Sequence, residues 1–278
     1  MTPGELHADD LLAARTLALD LGAWAAEETR SHRVTSISTK ADPADLVTEL
    51  DRSIELRVRE QVLARFPDHA FVGEEYGGAA VPGHPTWYLD PVDGTTNLAN
   101  GIPWTAFSLA LAIDDRPLVG VVADPWHGAV FDAVAGQGAR RNGDVLRVAS
   151  GASTGRSSLG GGVVGSELAG HRAWPGMREL AHRLTDAYCT LRVMGSGTLT
   201  LLGPAAGRGT GAIIHRFSPI DHLAATLIAH EAGAVVLGQD GRSTLFPAEG
   251  GVLVAAPAAA EELYGMWEAA LLAVEVTA

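Results

Sequence analysis

The stretch WYLDPVDGTTN, residues 87–97, is the part of the chain on which the interpretation of the fold depends. An apolar run ends there in Asp90 and Asp93, with a proline, a glycine and two threonines around them. This pattern predicts a strand that places Asp90 at its carboxyl end and Asp93 in the turn beyond, with the Val92 carbonyl facing the same way. Carboxylate and carbonyl oxygens are hard ligands, which suit Mg²⁺ better than zinc.

The turn that follows is suited to binding an anion. Gly94 allows a ligand to approach the backbone closely, and the amides of Gly94 and Thr95 begin the next segment. More acids occur at comparable places, because Glu74 and Glu75 end the preceding predicted strand and Asp221 begins a later predicted helix. A single Asp-x-x-Asp is typical of a capped turn, and Asp221 alone would be an ordinary N-cap. Acids at the ends of several elements favour convergence on one site.

A buried carboxylate is predicted in an early helix, residues 44–65. The apolar positions of this helix recur every three or four residues and form one face: Val47, Leu50, Ile54, Val58 and Val62. Asp51 falls in the middle of that face. A carboxylate among apolar side chains is costly unless it is hydrogen-bonded, paired or next to a metal. Two interpretations are open, a buried helix–helix hydrogen bond or a face that borders a polar site.

Length, charge and cysteine content limit the class of protein. The 278 residues suffice for one large domain or two closely associated ones. The net charge of −13 argues against nucleic acid as a general partner, since phosphate backbones need clustered Lys and Arg. The lone Cys189 gives no internal disulfide and no cysteine metal cluster. Because we find neither a membrane-length apolar run nor a secretory signal pattern, we expect a soluble cytoplasmic protein.

Helices and strands are predicted to alternate along the chain, which indicates the α/β class. Further helices are predicted at residues 6–28, 176–185 and 222–231, and further strands in the runs HAFVGEE, TAFSLALAI, PLVGVVADP, GAVFDAVAG, GAII and AVVLG. The segment GQGARRNGD is typical of a hairpin turn. The segment SGASTGRSSLGGG is the candidate joint between two halves, residues 1–148 and 149–278. We expect the first half to carry most of the candidate ligands and the second to carry Asp221.

Four segments, in this order, resemble the inositol monophosphatase family, within the fructose bisphosphatase-like group of metal-dependent phosphatases. They are KADPADLVTELD from Lys40, GEE from Gly73, WYLDPVDGTTNLANGIPWTAFSLAL from Trp87, and IDHLAATLIAHEAGAVV from Ile220. The resemblance implies a layered α-β-α-β-α fold and Mg²⁺-dependent hydrolysis of a small phosphate monoester, with inositol monophosphate as the leading substrate. It further implies inhibition by lithium and a homodimer.

The resemblance also implies two metal sites. Glu74, Asp90 and the Val92 carbonyl would bind one ion, and Asp90, Asp93 and Asp221 would bind a second, so that Asp90 bridges both. Two ions roughly 3.5–4 Å apart can hold phosphate oxygens, activate a water and stabilise the departing alkoxide. Such chemistry needs no nucleophile from the protein.

Catalytic and supporting roles follow from the same resemblance. Thr95, hydrogen-bonded to Asp51, would orient and deprotonate the attacking water with Glu74 nearby, and Glu75 would support the site without binding the metal. The implied phosphate and substrate contacts are Gly94, Thr95, Lys40 (the only lysine), Gly197, Thr198 and His215.

The substrate end departs from the family pattern. Ile214 stands where an acid is common, Leu199 and Thr226 where small residues are common, and Ile220 where a Trp is usual. The same chemistry on histidinol phosphate, another sugar phosphate or a nucleotide phosphate is therefore an alternative. A non-catalytic phosphate- or metal-binding module and a structural calcium protein are two more.

Overall fold

A computed structural model describes residues 6–31, 37–39, 46–148 and 158–275. Within these ranges the helices are α1 (Ala8–Ser31), α2 (Glu49–Arg65), α3 (Thr95–Ala99), α4 (Met177–Asp186), α5 (Gly197–Leu202), α6 (Pro219–Glu231) and α7 (Ala260–Glu275). The strands are β1 (Ile37–Thr39), β2 (Leu46–Thr48), β3 (Ala70–Gly73), β4 (Pro85–Asp93), β5 (Ala106–Ile113), β6 (Arg116–Asp124), β7 (Ala129–Val134), β8 (Ala139–Arg141), β9 (Asp144–Leu146), β10 (Val163–Ser166), β11 (Thr190–Val193), β12 (Gly211–Ile214), β13 (Val235–Gly238) and β14 (Val252–Ala255).

Two large sheets and three sets of helices form five layers, and β1 and β2 form a separate two-stranded sheet. The larger sheet has the order β3-β4-β5-β6-β7-β8-β9, and the smaller has the order β11-β10-β12-β14-β13. One core cluster joins α1 and α2 to the larger sheet, a second encloses α5 and α6 between the sheets, and a third joins α4 and α7 to the smaller sheet. The α-β-α-β-α architecture expected from the sequence is confirmed.

Alternating side-chain size in the larger sheet explains how its two faces pack. In β5, Phe107 and Leu109 face α1 and α2, whereas Ala106 and Ala110 face α6. Successive strand residues point to opposite faces, so large side chains fill one layer and small ones leave room in the other. In β6, a side chain at Gly120 would come within 3.0 Å of the α6 backbone. Small residues therefore allow α6 to lie close against the sheet.

The smaller sheet brings three strand ends to one edge. β10 pairs in parallel with both β11 and β12. Their carboxyl ends, at Ser166, Val193 and Ile214, consequently lie along the same edge of the sheet. Ligands of open α/β sheets bind outside this edge, so we expect a ligand-binding crevice there.

The predicted early helix begins later than its pattern suggested. Residues 46–48 form β2, which pairs with β1, and α2 starts at Glu49. Thr48 is the N-cap of α2 and forms a capping box with Asp51. The Thr48 side chain accepts a hydrogen bond from the Asp51 backbone amide, and the Asp51 side chain accepts one from the Thr48 backbone amide. The helix therefore begins five residues after the predicted start, because the backbone of Thr48 is extended.

Other predicted boundaries differ less. α1 begins at Ala8 and runs to Ser31 instead of ending near residue 28. α6 begins at Pro219, so Asp221 is the third residue of the helix and Ser218 is the N-cap. The predicted hairpin is confirmed, since β8 and β9 pair in antiparallel fashion around Asn142 and Gly143. No helix in the described ranges combines the length and apolar character needed to cross a bilayer.

The division of the chain at residues 148 and 149 stays a prediction. Residues 149–157, which include most of the candidate joint, lie outside the described residues. The described residues on both sides share the cluster between the sheets, in which Ala110 of β5 and Leu227 of α6 are both buried. The two halves therefore form one core at this layer.

A hydrogen bond to a histidine predicts how stability depends on pH. The Trp87 indole is fully buried and donates from Nε1 to Nδ1 of His69 at 3.0 Å, so His69 must be neutral. Burial lowers the pKa of His69 below 6.5, against the opposing charges of Asp10 and Asp68. The unfolded chain therefore takes up a proton that the folded protein resists. This contribution to stability is present above the unfolded pKa of 6.5 and is lost as pH falls below it.

We expect the melting temperature of the wild type to fall between about pH 7.5 and about pH 5.5 more steeply than that of His69→Gln, whose amide oxygen accepts the same bond without titrating. Replacement of the exposed His84 by Gln is the control and should leave the wild-type slope unchanged. Parallel curves for wild type and His69→Gln would contradict the assignment.

Candidate active site

The end of β4 is shaped by a bulge and a glycine. The pairing of β4 with β5 shifts register between Asp90 and Asp93, which turns the strand end outward. Gly94 follows with φ of 96°, and a side chain on it would come within 2.8 Å of the Gly195 carbonyl oxygen and 3.0 Å of the Trp104 carbonyl oxygen. Glycine is therefore required by both the backbone angle and the space.

Asp90 is the electrostatic centre of the candidate site. Its side chain is 3% exposed, and its Oδ1 accepts the Val92 amide at 2.9 Å. Burial raises the pKa of Asp90 well above 3.8, and the negative charges of Glu74, Asp93 and Asp221 raise it further. Three carboxylates, the exposed Glu74 and the half-buried Asp93 and Asp221, therefore repel the charge on the buried Asp90. A cation bound among them would relieve that repulsion.

The donors at this place are oxygens, which matches the preference of Mg²⁺. The carboxylates do not form a closed ligand set, since in the described part of the chain no three His, Cys, Asp or Glu side chains are grouped as in a formed metal site. The donor set is therefore open in this structure, and its oxygens are of the type that Mg²⁺ takes.

Asp93 is held by the segment of residues 194–200. Its Oδ2 accepts the Ser196 hydroxyl at 2.6 Å and the Thr198 amide at 2.7 Å. Thr198 in turn donates its hydroxyl to the Asp221 carbonyl oxygen at 2.6 Å. Burial and the charge of Asp221 raise the pKa of Asp93, while the hydrogen bonds that Asp93 accepts from Ser196 and Thr198 lower it. Gly197 and Thr198, predicted to contact substrate, thus lie beside two predicted metal ligands.

His222 borders the same place and was missed from the sequence. Burial lowers its pKa to about 4, so the ring is neutral at neutral pH. Its Nδ1 accepts the Ser218 amide at 2.9 Å, and its Nε2 lies 2.6 Å from where a side chain on Gly197 would be. Its position directly after Asp221, a predicted metal ligand, was the available signal in the sequence.

Asp51 meets Thr95 across two helices. The Thr95 hydroxyl lies 3.0 Å from Asp51 Oδ1 and 3.0 Å from the Val92 carbonyl oxygen. Asp51 Oδ2 accepts the Thr48 amide at 2.9 Å, and burial raises the pKa of this carboxyl while the hydrogen bonds from Thr48 and Thr95 lower it. The interpretation as a buried helix–helix hydrogen bond is confirmed, because the contact joins α2 to α3. Since α3 follows the candidate turn, a polar site beside this face stays a prediction.

A second buried acid on α2 was also missed. Glu55 is fully buried, and its carboxylate accepts the Glu75 amide at 2.7 Å, the Tyr76 amide at 3.1 Å and Arg59 at 3.0 Å. A side chain on Gly73 would overlap this carboxylate, at 2.1 Å from Oε1. Glu55 therefore fixes the loop that carries the Gly-Glu-Glu sequence. The signal was its spacing, four residues after the buried aspartate of the same helix.

The substrate end is more apolar than the rest of the candidate site. Leu199, Ile214 and Thr226 are nearly fully buried in the layer between the sheets. The His215 ring stacks on Trp174, with centroids 5.3 Å apart and planes at 4°. Ile220, at the start of α6, packs against the central cluster. Lys40 lies outside the described residues.

Comparison with known proteins is consistent with this geometry. A sequence profile of the inositol monophosphatase family matches residues 8–271. Inositol monophosphatase 2 of Solanum lycopersicum is 36% identical over 206 residues, which cover 71% of this chain and 76% of that protein. Nus factor SuhB of Pasteurella multocida is 34% identical over 224 residues, which cover 79% of this chain and 81% of that protein.

Solved structures share the fold. An IMPase of Thermotoga maritima superposes with a TM-score of 0.83 at 23% identity, covering 94% of this chain and 99% of that one. An IMPase/NADP phosphatase complexed with Mg²⁺ and phosphate gives a TM-score of 0.69 at 23% identity, covering 83% and 85% of the two chains. At these identities the likeness concerns the fold alone.

Proposed function

Since the chain belongs to the inositol monophosphatase family, whose members are phosphatases that hydrolyse phosphate monoesters, we propose that this enzyme is Mg²⁺-dependent and that inositol monophosphate is its leading substrate. The observation that carries the proposal is the buried Asp90 at the bulge of β4, on which the charges of Glu74, Asp93 and Asp221 act. A cation bound there would offset the cost of burying this carboxylate among like charges. The complex of a similar fold with Mg²⁺ and phosphate supports the choice of ion.

The metal ligands in this proposal are those implied by the family resemblance. Glu74, Asp90 and the Val92 carbonyl would hold one ion, and Asp90, Asp93 and Asp221 would hold the second. Bound Mg²⁺ would supply charge neutralisation for the phosphate oxygens and a lowered pKa for a bound water. The charges of the other three acids all act on Asp90, which supports a bridging role for it.

The remaining residues position the reactants. Thr95 would hold the attacking water, and Asp51 would accept the proton that the Thr95 hydroxyl passes on, with Glu74 close by. The phosphate would lie against the amides of Gly94 and Thr95, where the φ of Gly94 opens the backbone. Glu75 would support this arrangement through the loop that Glu55 holds. Lys40 would contact the phosphate from its loop.

The substrate assignment rests on the relatives and on an altered pocket. Several relatives are named inositol monophosphatases, whereas another is named a Nus factor and a similar fold is named an NADP phosphatase as well. Position 214 is a buried isoleucine, and an isoleucine cannot accept hydrogen bonds from substrate hydroxyls as an acid there would. We therefore propose broad specificity, with sugar, histidinol or nucleotide phosphates as second substrates. Lithium inhibition, a homodimer and a cytoplasmic location belong to the same proposal.

A panel of phosphate monoesters tests the substrate assignment. We expect the wild type to cleave inositol monophosphate and several other small monoesters with comparable kcat and modest differences in KM, because a missing hydrogen-bond partner weakens discrimination more than chemistry. His215→Ala should raise KM for one hydroxylated substrate selectively, whereas the exposed control His171→Ala should not. A wild type that barely cleaves inositol monophosphate and strongly prefers another monoester would overturn the substrate and leave the mechanism in place.

The structure changes the design of one variant. Ile214→Glu, which the sequence pattern favours as a way to restore selectivity, would bury a charge in the layer between the sheets, where Ile214 is 5% exposed. We expect lower stability from this change, because a buried unpaired carboxylate is costly. The panel therefore uses His215.

A further inference from the structure

Glu167 is a half-buried acid at the carboxyl end of β10, and neither the candidate metal set nor the substrate contacts include it. Its carboxylate accepts the Gly195 amide at 2.8 Å and the Thr200 hydroxyl at 2.6 Å. The Met194 amide makes a longer contact of 3.4 Å. All three donors belong to the segment of residues 194–200, so one side chain holds both ends of this segment.

The opposite side of the same segment is held by Asp93. Ser196 and Thr198, which lie between the two residues that Glu167 binds, both donate to Asp93 Oδ2. The segment therefore lies between two carboxylates, one from the larger sheet and one from the smaller. A displacement of the segment from Glu167 would move the donors that fix the Asp93 carboxylate.

The backbone of this segment has little freedom to compensate. Gly195 has φ of 85°, and a side chain on it would come within 2.8 Å of the Asn97 amide nitrogen. Asn97 itself donates to the Met194 carbonyl oxygen at 2.8 Å and to the Trp104 carbonyl oxygen at 2.8 Å. The strand end, the α3 turn and residues 194–200 are thus tied together at a close approach of two backbones.

We infer that Glu167 is a positioning residue, which holds residues 194–200 so that Ser196 and Thr198 orient Asp93 for cation binding. This inference rests on the proposed function, because it assigns Asp93 to the Mg²⁺ site. Hydrogen-bond partners that orient a ligand affect metal affinity by roughly 10- to 100-fold. Glu167 acts one contact further out, so its effect is smaller and falls on affinity for the cation.

The negative charge of Glu167 matters as well as its size. A carboxylate only accepts hydrogen bonds, and here both of its oxygens face donors. Glutamine would present an NH₂ group to either the Gly195 amide or the Thr200 hydroxyl. With the NH₂ group facing Gly195 two donors oppose each other, and with the NH₂ group facing Thr200 it also opposes the Met194 amide, which lies 3.4 Å from Oε1. The segment is therefore expected to shift in either orientation.

The experiment compares wild type, Glu167→Gln and Thr200→Val with Glu179→Gln as the control, since Glu179 is an acid on α4 paired with Arg183. Two quantities are measured for each protein, the Mg²⁺ concentration that gives half-maximal phosphate release and the rise in melting temperature on adding Mg²⁺ without substrate. For Glu167→Gln we expect the half-maximal concentration to rise about fivefold or more, with kcat recovered at high Mg²⁺. The melting shift at low Mg²⁺ should shrink in parallel.

Thr200→Val removes one donor and keeps the carboxylate, so a smaller change in the same direction is expected. It also supplies a test if Glu167→Gln does not fold. Mg²⁺ curves of both variants that coincide with those of wild type and Glu179→Gln would overturn the inference, even if both variants melt at lower temperature. A wild type that shows no response to Mg²⁺ in either measurement would instead overturn the proposed function, and this inference with it.

Discussion

Asp90→Asn is expected to abolish phosphate release while the protein stays folded. The change removes the negative charge of the residue that would bind both proposed ions. The asparagine oxygen can still accept the hydrogen bond that the Val92 amide donates to Asp90 Oδ1 at 2.9 Å. Without Mg²⁺ the melting temperature should be equal to that of the wild type or higher, because the buried charge repelled by Glu74, Asp93 and Asp221 is gone. Activity and thermal unfolding are measured on the same preparation.

A matched substitution shows whether the loss is specific. Asp144, an exposed acid at the start of β9, is far from the candidate site in the fold, and Asp144→Asn should retain wild-type turnover. Near wild-type turnover in Asp90→Asn would exclude a bridging carboxylate at this position. An unfolded Asp90→Asn protein would equally contradict the expectation, since the side chain was predicted to serve the ion and not the fold.

The second large effect concerns the pair Asp51 and Thr95. Their contact of 3.0 Å places the Thr95 hydroxyl to pass a proton to the carboxylate. Asp51→Asn and Thr95→Ala are each expected to lower kcat about 100-fold or more, the usual range for loss of a proton-transfer group. The double variant should be little worse than either single variant, because the two side chains act as one unit.

Stability must be measured beside these rates. Asp51 accepts the Thr48 amide of the capping box on Oδ2 and the Thr95 hydroxyl on Oδ1, and asparagine has a single acceptor oxygen. Asp51→Asn is therefore expected to cost about 1 kcal/mol of stability, the typical value of one lost hydrogen bond. Thr95→Ala does not touch that cap and is the cleaner of the two changes. Additive losses in kcat would mean separate roles, and would leave Asp51 as a structural cap.

The capping box also decides the effect of Asp51→Leu. Leucine would complete the apolar stripe of α2, which by itself would raise stability. In the structure, leucine would leave the buried Thr48 amide and the Thr95 hydroxyl without this acceptor. Because an unsatisfied buried donor costs more than the apolar contact contributes, we expect Asp51→Leu to melt at lower temperature.

Local patterns in the sequence predicted the fold class and the strand that carries Asp90. The run TWYLD lies within β4, and the glycine after Asp93 has the positive φ that its position requires. These features are local, since an apolar run and a turn are set by neighbouring residues. The predicted start of α2 was wrong because the apolar pattern continues on the N-terminal side of the cap that Thr48 and Asp51 form.

Long-range contacts account for what the sequence did not predict. Glu55 binds amides 20 and 21 residues away, and Glu167 binds donors 27, 28 and 33 residues away. A lone glutamate in a helix or after a strand is usually solvated, so its type alone carries no signal. The burial of Ile214 likewise depends on β14 and α6, which no local pattern around it shows.

Phosphate release from inositol monophosphate by chelator-treated wild-type enzyme, measured as Mg²⁺ is added back, tests the central claim most directly. The account predicts no release without Mg²⁺ and a saturable return of activity as the ion is added, with Asp90→Asn inactive at every concentration. Asp144→Asn should follow the wild-type curve. Full activity in EDTA, with Asp90→Asn as active as the wild type, would contradict a catalytic cation held by these carboxylates.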